Sequence, residues 1–403
     1  MNRCPFLLLA ITAASASWGA PRGASPSLEA AEAFWQALEG GLASQRDAIP
    51  EWHAAADSVA ARYLAGGRIW VGDHFPDFDG EACNRAGGLM AIGSIRDMGG
   101  ARTEGASHPD VVLLGLHDGR EEERLVVRKL RSLDVLIVGF GARAAHPEAA
   151  AGCHAWLESG APEVVAGAPA ASVLAVANLW AFNGEVISAC VRRGRMPTVW
   201  QSIMMPGSTE RNERYLPRRI HDDVLPPAVE AGKVAVSYFD SLRTYLTQFR
   251  EREWGRLVQA GEAVRSARRA GKRTFACPLG GHLRPTSLDL PGTAGDLDAL
   301  SRYITAADLA DSLSRGDALY IQGYTDAPGE LLAAAKEAGA TAILTLAGRR
   351  AEPPERAVTD IVLDAQWELG DATVPLAGYD VPLLPPSGFM SAALYWVLVL
   401  AAE

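Results

Sequence analysis

The stretch AGGRIWV at residues 65–71 recurs as AGKRTFA at residues 270–276. Each copy follows a helical pattern and passes through a glycine into a β-rich run, which is typical of a helix C-terminus followed by a strand. Further on, Asp110 and Asp317 each precede a second apolar strand, and a polar turn, a helix and a third strand follow in both halves. We therefore expect an internal repeat with an offset of about 205 residues.

Short apolar strands alternate with helices in both copies, which predicts βαβ units and a parallel sheet in each. The copies also end alike, because Ser172 and Ser387 each begin an apolar helix after a proline-containing loop. Residues Tyr215–Pro227 are rich in proline and charge, which is typical of a linker. We predict an α/β protein with two similar three-layer αβα domains, at residues 27–214 and 231–403, joined by a linker at residues 215–230.

The N-terminus has the pattern of a targeting segment. Arg3 precedes an apolar run at residues 6–12, and a small-x-small cleavage pattern follows at residues 14–16. Residues 1–20 therefore predict a secretory signal peptide and export to the periplasm or the cell exterior. If this signal prediction fails, the expected location is the cytoplasm.

The composition limits the partners of the chain. Apolar residues make up 48% and charged residues 21%, a balance that favours a packed core over disorder. The formal net charge of −10 argues against binding to nucleic acid or to an anionic membrane surface. The apolar run at residues 389–402 is too short to cross a bilayer, so we expect a buried helix there and no stable membrane insertion.

Four carboxylates, a histidine and a cysteine crowd into GDHFPDFDGEACNRAGG, residues 72–88. Their spacing does not fit a calcium loop, and the cysteines of the chain are too scattered for a zinc site, so no metal is predicted. We expect Phe75 and Phe78 to pack and the carboxylates to be solvated. Free buried thiols are favoured over disulfides at four positions, which are Cys83, Cys153, Cys190 and Cys277.

The motifs GGRI at residues 66–69 and RAGG at 85–88 resemble the first strand, loop and helix of sugar isomerase (SIS) domains. Residues 196–202 (MPTVWQS) and 317–348 resemble the same family, and most closely its uncharacterised bacterial phosphosugar-binding branch. The resemblance implies a five-stranded parallel sheet in each domain, with a sugar phosphate at the C-terminal ends of the strands. Because family members usually pair their domains, it also implies an intrachain pseudo-dimer.

The family holds its phosphate with backbone N–H groups and with serine or threonine hydroxyls. In the first half the equivalent positions are Asp73, His74, His117, Asp118 and Ser172. An ionised carboxylate about 4 Å from a phosphate costs roughly 1 to 4 kcal/mol. We therefore expect the first half to lack a working phosphosugar site.

The second half keeps more of the groups that the resemblance places at a ligand. These candidate binding residues are Gly280, Gly281, His282, Tyr324, Thr325 and Ser387. The glycines would let the backbone approach an anion, and the hydroxyls would donate to it. Ser387 has an alternative interpretation as the N-cap of its helix.

These observations predict a protein that binds a small sugar or sugar derivative, phosphorylated or not, without assured catalysis and without a cofactor. One alternative is an aldose–ketose phosphosugar isomerase in which Glu185, His74 or His282 moves the proton. Glu185 has a second interpretation, in which it lies on an amphipathic helix and has a solvated-face or helix-pair role. Another alternative is an interaction protein whose vestigial pockets are filled by Phe75 or Tyr324. Assembly into a homo-oligomer stays open.

Overall fold

The computed structural model describes residues 26–73, 78–95, 107–116, 121–279, 297–301, 303–324, 328–347 and 359–403. The predicted alternation of strands and helices is confirmed in both halves. The first half contains α1 (Pro26–Asp47), α2 (Ile49–Leu64), β1 (Ile69–Asp73), α3 (Phe78–Ala82), β2 (Ile92–Ser94), β3 (Val111–Gly115), α4 (Glu121–Ser132), β4 (Leu136–Gly141), α5 (Pro147–Gly152), β5 (Ala155–Glu158), α6 (Ala170–Arg192) and α7 (Ser208–Tyr215). The second half contains α8 (Lys233–Arg269), β6 (Thr274–Pro278), β7 (Asp298–Ala299), α9 (Ala306–Ser312), β8 (Ala318–Gln322), α10 (Gly329–Ala338), β9 (Thr341–Leu346), β10 (Ile361–Asp364) and α11 (Ser387–Ala401).

Each half builds one sheet of five parallel strands. The strand orders are β2-β1-β3-β4-β5 and β7-β6-β8-β9-β10, so both sheets place their strands in the same sequence. The predicted fold class is confirmed. Because all strands of a sheet run the same way, their carboxyl ends meet at one edge, where α/β proteins bind ligands.

Asp110 and Asp317, at equivalent positions of the predicted repeat, accept equivalent hydrogen bonds. Asp110 Oδ1 accepts a hydrogen bond from the Arg68 backbone N–H at 2.7 Å. Asp317 Oδ1 accepts one from the Arg273 backbone N–H at 3.0 Å. Each carboxylate therefore links the residue before the first strand of its half to the residue before the third strand. These two strands, β1 and β3 or β6 and β8, are neighbours in the sheet.

The two halves share one hydrophobic core. Residues 170–191 of α6 and all of α11 are buried. α6 packs against α2 and α8, while α11 packs against α1 and α8, so helices from both halves interleave. Within the described residues, α6 is long and apolar enough to cross a membrane by length and composition, and it is buried inside the protein. The arrangement is the predicted intrachain pseudo-dimer; the domain and linker boundaries stay predictions.

The prediction that Glu185 lies on an amphipathic helix is wrong, because α6 is buried on every side. Glu185 accepts hydrogen bonds from the backbone N–H of Gly232 at 2.8 Å and of Ala235 at 3.4 Å. Both donors lie at the start of α8, where a helix dipole favours negative charge. Burial raises the pKa of Glu185, and these two donors partly offset that rise. Glu185 therefore joins α6 to α8, so the helix-pair role holds and the solvated-face role is wrong.

The expectation of solvated carboxylates in the acidic stretch is also wrong for the two that can be placed. Asp79 is 6% exposed and accepts a hydrogen bond from Ser94 Oγ at 2.5 Å. Glu81 is 1% exposed and accepts one from Trp180 Nε1 at 2.9 Å. The short helix α3 turns both side chains inward, and periodicity could not show this in so short a segment.

The packing of Phe78 and the state of the cysteines agree with the expectations from the sequence. Phe78 is buried and packs against Phe140 with ring centroids 5.6 Å apart, as predicted, whereas Phe75 lies outside the described residues. The four cysteines are free thiols, as favoured from the sequence. Two of them, Cys190 and Cys277, are buried, and Cys83 and Cys153 are partly buried.

Candidate functional site

A cavity of about 440 Å³ lies where the two halves meet. The second half contributes Leu279, Tyr324 and Asp371, which follow the carboxyl ends of β6, β8 and β10. The first half contributes the rest of the described lining, namely Asn84, Arg85, Ala86, Trp200, Gln201, Ser202, Ile203, Met204 and Asn212. The cavity therefore lies at the ligand edge of the second sheet and is closed by residues of the first half.

The centre of this junction is a hydrogen-bonded group formed by Arg85, Asp371 and Ser387. Asp371 Oδ2 accepts a hydrogen bond from Ser387 Oγ at 2.7 Å and lies 3.2 Å from Arg85 Nη2. Arg85 Nη2 also donates to Ser387 Oγ. Asp371 Oδ1 accepts from the Ser387 backbone N–H at 3.2 Å, at the first turn of α11. We call these three residues the junction triad.

Glu81 gives the junction triad a second carboxylate. Its Oε1 lies 3.8 Å from Arg85 Nη2 and accepts from Trp180, which holds it in place. Gly388, in the first turn of α11, permits this approach, because a Cβ at that position would collide with Glu81 Oε1. One buried guanidinium therefore faces two buried carboxylates, so the described part of this group carries excess negative charge.

Desolvation sets the acidity of Asp371. Burial raises the pKa of its carboxyl to about 6, because Arg85 and Ser387 offset only part of the desolvation and Glu81 adds to the rise. The Asp371 backbone has φ of +46°, a left-handed conformation that Asp tolerates better than most residues. The result is a carboxylate in the cavity wall that titrates close to neutral pH.

The opposite wall is held by backbone pairing. Trp200 exchanges backbone hydrogen bonds with the RAGG segment: Gly87 N–H donates to Trp200 O at 2.8 Å, and Trp200 N–H donates to Gly88 O at 2.9 Å. The Asn212 amide holds Gln201 through both of its polar atoms, at 2.8 and 2.9 Å. The motifs that suggested the family are therefore neighbours in space, and together they position one wall of the cavity.

The corresponding edge of the first sheet is different. His146 follows the carboxyl end of β4, and its side chain is fully buried. Its Nδ1 lies 2.8 Å from Glu123 Oε2 and its Nε2 lies 3.6 Å from Glu163 Oε2. Burial alone would lower the pKa of His146, but hydrogen bonds and charge from the two glutamates raise it to about 9. The adjacent space is only about 50 Å³.

The candidate residues predicted from sequence are distributed unevenly. Tyr324 lines the cavity, and Ser387 belongs to the junction triad beside it. Pro386 is the N-cap residue of α11, so the alternative of Ser387 as the N-cap is wrong. Ser172, at the start of α6, is buried, and its hydroxyl has no hydrogen-bond partner among the described residues. Glu185 joins α6 to α8 and is not in the cavity lining.

Several predicted site residues lie outside the part of the chain that the structure describes. The candidates that lie outside the described residues are His74, His117, Asp118, Gly280, Gly281, His282 and Thr325. Asp73 ends β1, but its side chain also lies outside the described part. In the remainder of the chain, no three His, Cys, Asp or Glu side chains come together as a metal-binding group.

Sequence reasoning missed the two residues at the centre of the site, Arg85 and Asp371. Arg85 was visible as the first letter of RAGG, where a functional arginine and a structural one look alike. Asp371 lies between β10 and α11 in a segment without a motif. Only the contact across 286 positions of sequence shows that they form a pair.

No protein-family model matches the chain. A curated UPF0309 protein from Streptomyces griseus subsp. griseus is 27% identical over 218 residues, which cover 42% of this chain and 82% of that protein. This similarity is too distant to assign a family by itself.

Solved structures cover most of the chain at low identity. A "putative sugar binding protein" from Salmonella typhimurium LT2 has a TM-score of 0.50 at 10% identity, covering 92% of this chain and 98% of that one. The C-terminal domain of glucosamine-fructose-6-phosphate aminotransferase from Francisella tularensis has a TM-score of 0.46 at 9% identity, covering 90% and 94%. The similarity to the Salmonella protein shows the fold alone, an α/β fold with two five-stranded parallel sheets in one polypeptide, as the SIS resemblance predicts.

Proposed function

We propose that the chain binds a sugar or sugar derivative in the cavity between its halves. The observation that carries this proposal is the position and lining of the cavity, at the carboxyl edge of the second sheet and with walls from both halves. Its volume of about 440 Å³ lies in the range of small-molecule sites. The described lining combines amides, hydroxyls, an indole and apolar groups, which suits a ligand with hydroxyls on an aliphatic ring.

The alternative of vestigial pockets is less well supported. It requires the ligand volume to be filled by a side chain such as Tyr324. Tyr324 instead lines an open space, and burial raises the pKa of its hydroxyl. The fold shared with a protein described as sugar binding supports the same class of ligand.

Isomerisation remains a second candidate because one observation favours it. Asp371 places in the cavity wall a carboxyl whose pKa is raised to about 6, close to the value that suits a general acid or base at neutral pH. Exchange of the C2 proton of an aldose in D₂O, followed by NMR, measures this activity. Exchange that is lost in Asp371→Asn would favour an isomerase, and no exchange with any bound sugar would favour a binding protein.

Isothermal titration of the full chain with a panel of sugars tests the binding proposal. Ala86 lines the cavity, so Ala86→Phe is expected to weaken any observed binding at least about tenfold by filling the site. Ala54→Phe is the matched control, because Ala54 is exposed on α2. Equal binding by wild type, Ala86→Phe and Ala54→Phe would show that the ligand binds elsewhere, and no binding at millimolar sugar would reject the proposal.

Export is proposed on the predicted signal peptide alone. Mass spectrometry of the protein from its native host tests it: a mature chain that begins close to residue 17 or 21 would support cleavage, and an intact N-terminus would contradict it.

A further inference from the structure

We propose that the ligand of this cavity is an unphosphorylated sugar, either neutral or carrying an amino group. This inference rests on the proposed function and adds the charge class of the ligand. It is carried by the junction triad, in which the Asp371 carboxylate already contacts the donors at the start of α11.

A phosphate at the edge of a parallel sheet is usually held by backbone N–H groups of a helix start, by hydroxyls and by arginine. At the start of α11 these three kinds of donor are the N–H and hydroxyl of Ser387 and the guanidinium of Arg85. All three contact Asp371. The protein therefore supplies its own anion at this position.

Arg85 is the only cation among the described residues that line the cavity, and it lies 3.2 Å from Asp371 and 3.8 Å from Glu81. Its positive charge is therefore more than neutralised before a ligand arrives. A phosphate dianion near this group would meet net negative charge, whereas an ammonium group would be attracted to it.

Apart from Arg85 and Asp371, the described residues around the cavity are uncharged. Ile203 and Met204 lie at the exposed side, with 82% and 39% of their surface accessible. Apolar side chains there offer an anion nothing in return for its lost hydration.

Arg85 Nε is buried and has no hydrogen-bond partner among the described residues, while Asp371 next to it is an acceptor when ionised. A sugar hydroxyl both donates and accepts, so it can satisfy groups of either kind. A phosphate dianion only accepts and cannot bond to a carboxylate. The polar groups of this wall therefore match hydroxyls better than they match phosphate.

Paired titrations test the inference. The full chain is titrated with D-glucose, D-glucosamine and N-acetyl-D-glucosamine, and with the 6-phosphate of each. We expect each 6-phosphate to bind at least about fivefold more weakly than its partner, the effect of one charge repulsion at about 4 Å in water. A 6-phosphate that binds as tightly as its partner or more tightly would overturn the inference and leave the proposed function standing. No binding by any of the six would reject the proposed function, and the inference with it.

A charge substitution at the cavity wall tests the electrostatic reason. Met204→Lys adds a cation beside the cavity, and Met204→Gln is the uncharged control of similar length. We expect the ratio of 6-phosphate affinity to sugar affinity to rise about fivefold in Met204→Lys relative to Met204→Gln, and to fall back in high salt. An unchanged ratio would contradict the electrostatic account.

Discussion

The carboxyl edges of the two sheets differ although their strand orders are the same. At the first edge, a buried histidine between two glutamates lies beside a space of about 50 Å³. At the second, an open cavity of about 440 Å³ lies beside the junction triad. Arg85 and residues 200–204 of the first half complete the second edge by lining its cavity. Strand order alone therefore does not determine a site.

Removing the cation of the junction triad is expected to lower the free energy of unfolding more than any other substitution considered for the two edges. Arg85→Met leaves the carboxylates of Asp371 and Glu81 buried without their positive partner. Removing one partner of a buried ion pair typically costs about 3 to 5 kcal/mol, and we expect a loss of that size in the free energy of unfolding. Urea titration of the full chain measures it.

An exposed arginine provides the control for this substitution. Arg128 pairs with Glu121 at 2.8 Å on the surface of α4. Arg128→Met is expected to change the free energy of unfolding by less than about 1 kcal/mol, because exposed pairs contribute little. Similar losses in both variants would show that the buried ion pairs of Arg85 stabilise the protein no more than an exposed pair does.

The first edge is tested through the pH dependence of stability. His146 has a pKa raised to about 9 in the folded chain, above its usual value near 6.5. A group whose folded pKa is raised stabilises fully below its unfolded pKa and loses that contribution as pH rises through the folded value. We therefore expect His146→Gln to cost about 2 kcal/mol at pH 6 and much less at pH 9.5, as measured by urea unfolding at both values. A cost that is equal at the two pH values would contradict the ion pairs with Glu123 and Glu163.

The smallest expected effect comes from comparing the serines that begin α6 and α11. Ser387 Oγ bonds to Asp371 and Arg85, so Ser387→Ala should cost about 1 to 2 kcal/mol. Ser172 is buried, and its hydroxyl lacks a partner within the described part of the chain, so Ser172→Ala should be neutral or slightly stabilising. Thermal unfolding of the two variants measures the difference. Equal losses would remove this distinction between the halves.

Much of the fold was predictable because it depends on local patterns. The strands around Val111–Gly115 and Ala318–Gln322 are short apolar runs after an aspartate, and the structure shows that aspartate aligning the strands. The helix α6 was misread because a 23-residue helix that is buried on all sides has no polar face to show as periodicity. For the same reason the sequence left two roles open for Glu185, on a solvated face or between paired helices, and the structure shows the second.

The candidate site was only partly predictable. Tyr324 and Ser387 could be selected because they lie where the resemblance puts ligand groups, at a strand end and at a helix start. Asp371 could not, because its segment has neither periodicity nor a motif. Arg85 was known only as part of RAGG, and nothing local indicates that its guanidinium contacts the other half.

The sequence by itself determined two α/β units with parallel sheets, because strand and helix patterns arise from side chains a few positions apart. It also determined that carboxylates crowd the first loop, residues 72–88. Only the tertiary structure decided that Glu81 and Arg85 from this loop belong to the edge of the other sheet. The physical reason is that burying an ion pair requires partners to converge from distant positions, and only the packing of α11 against the first half brings Asp371 and Ser387 to Arg85.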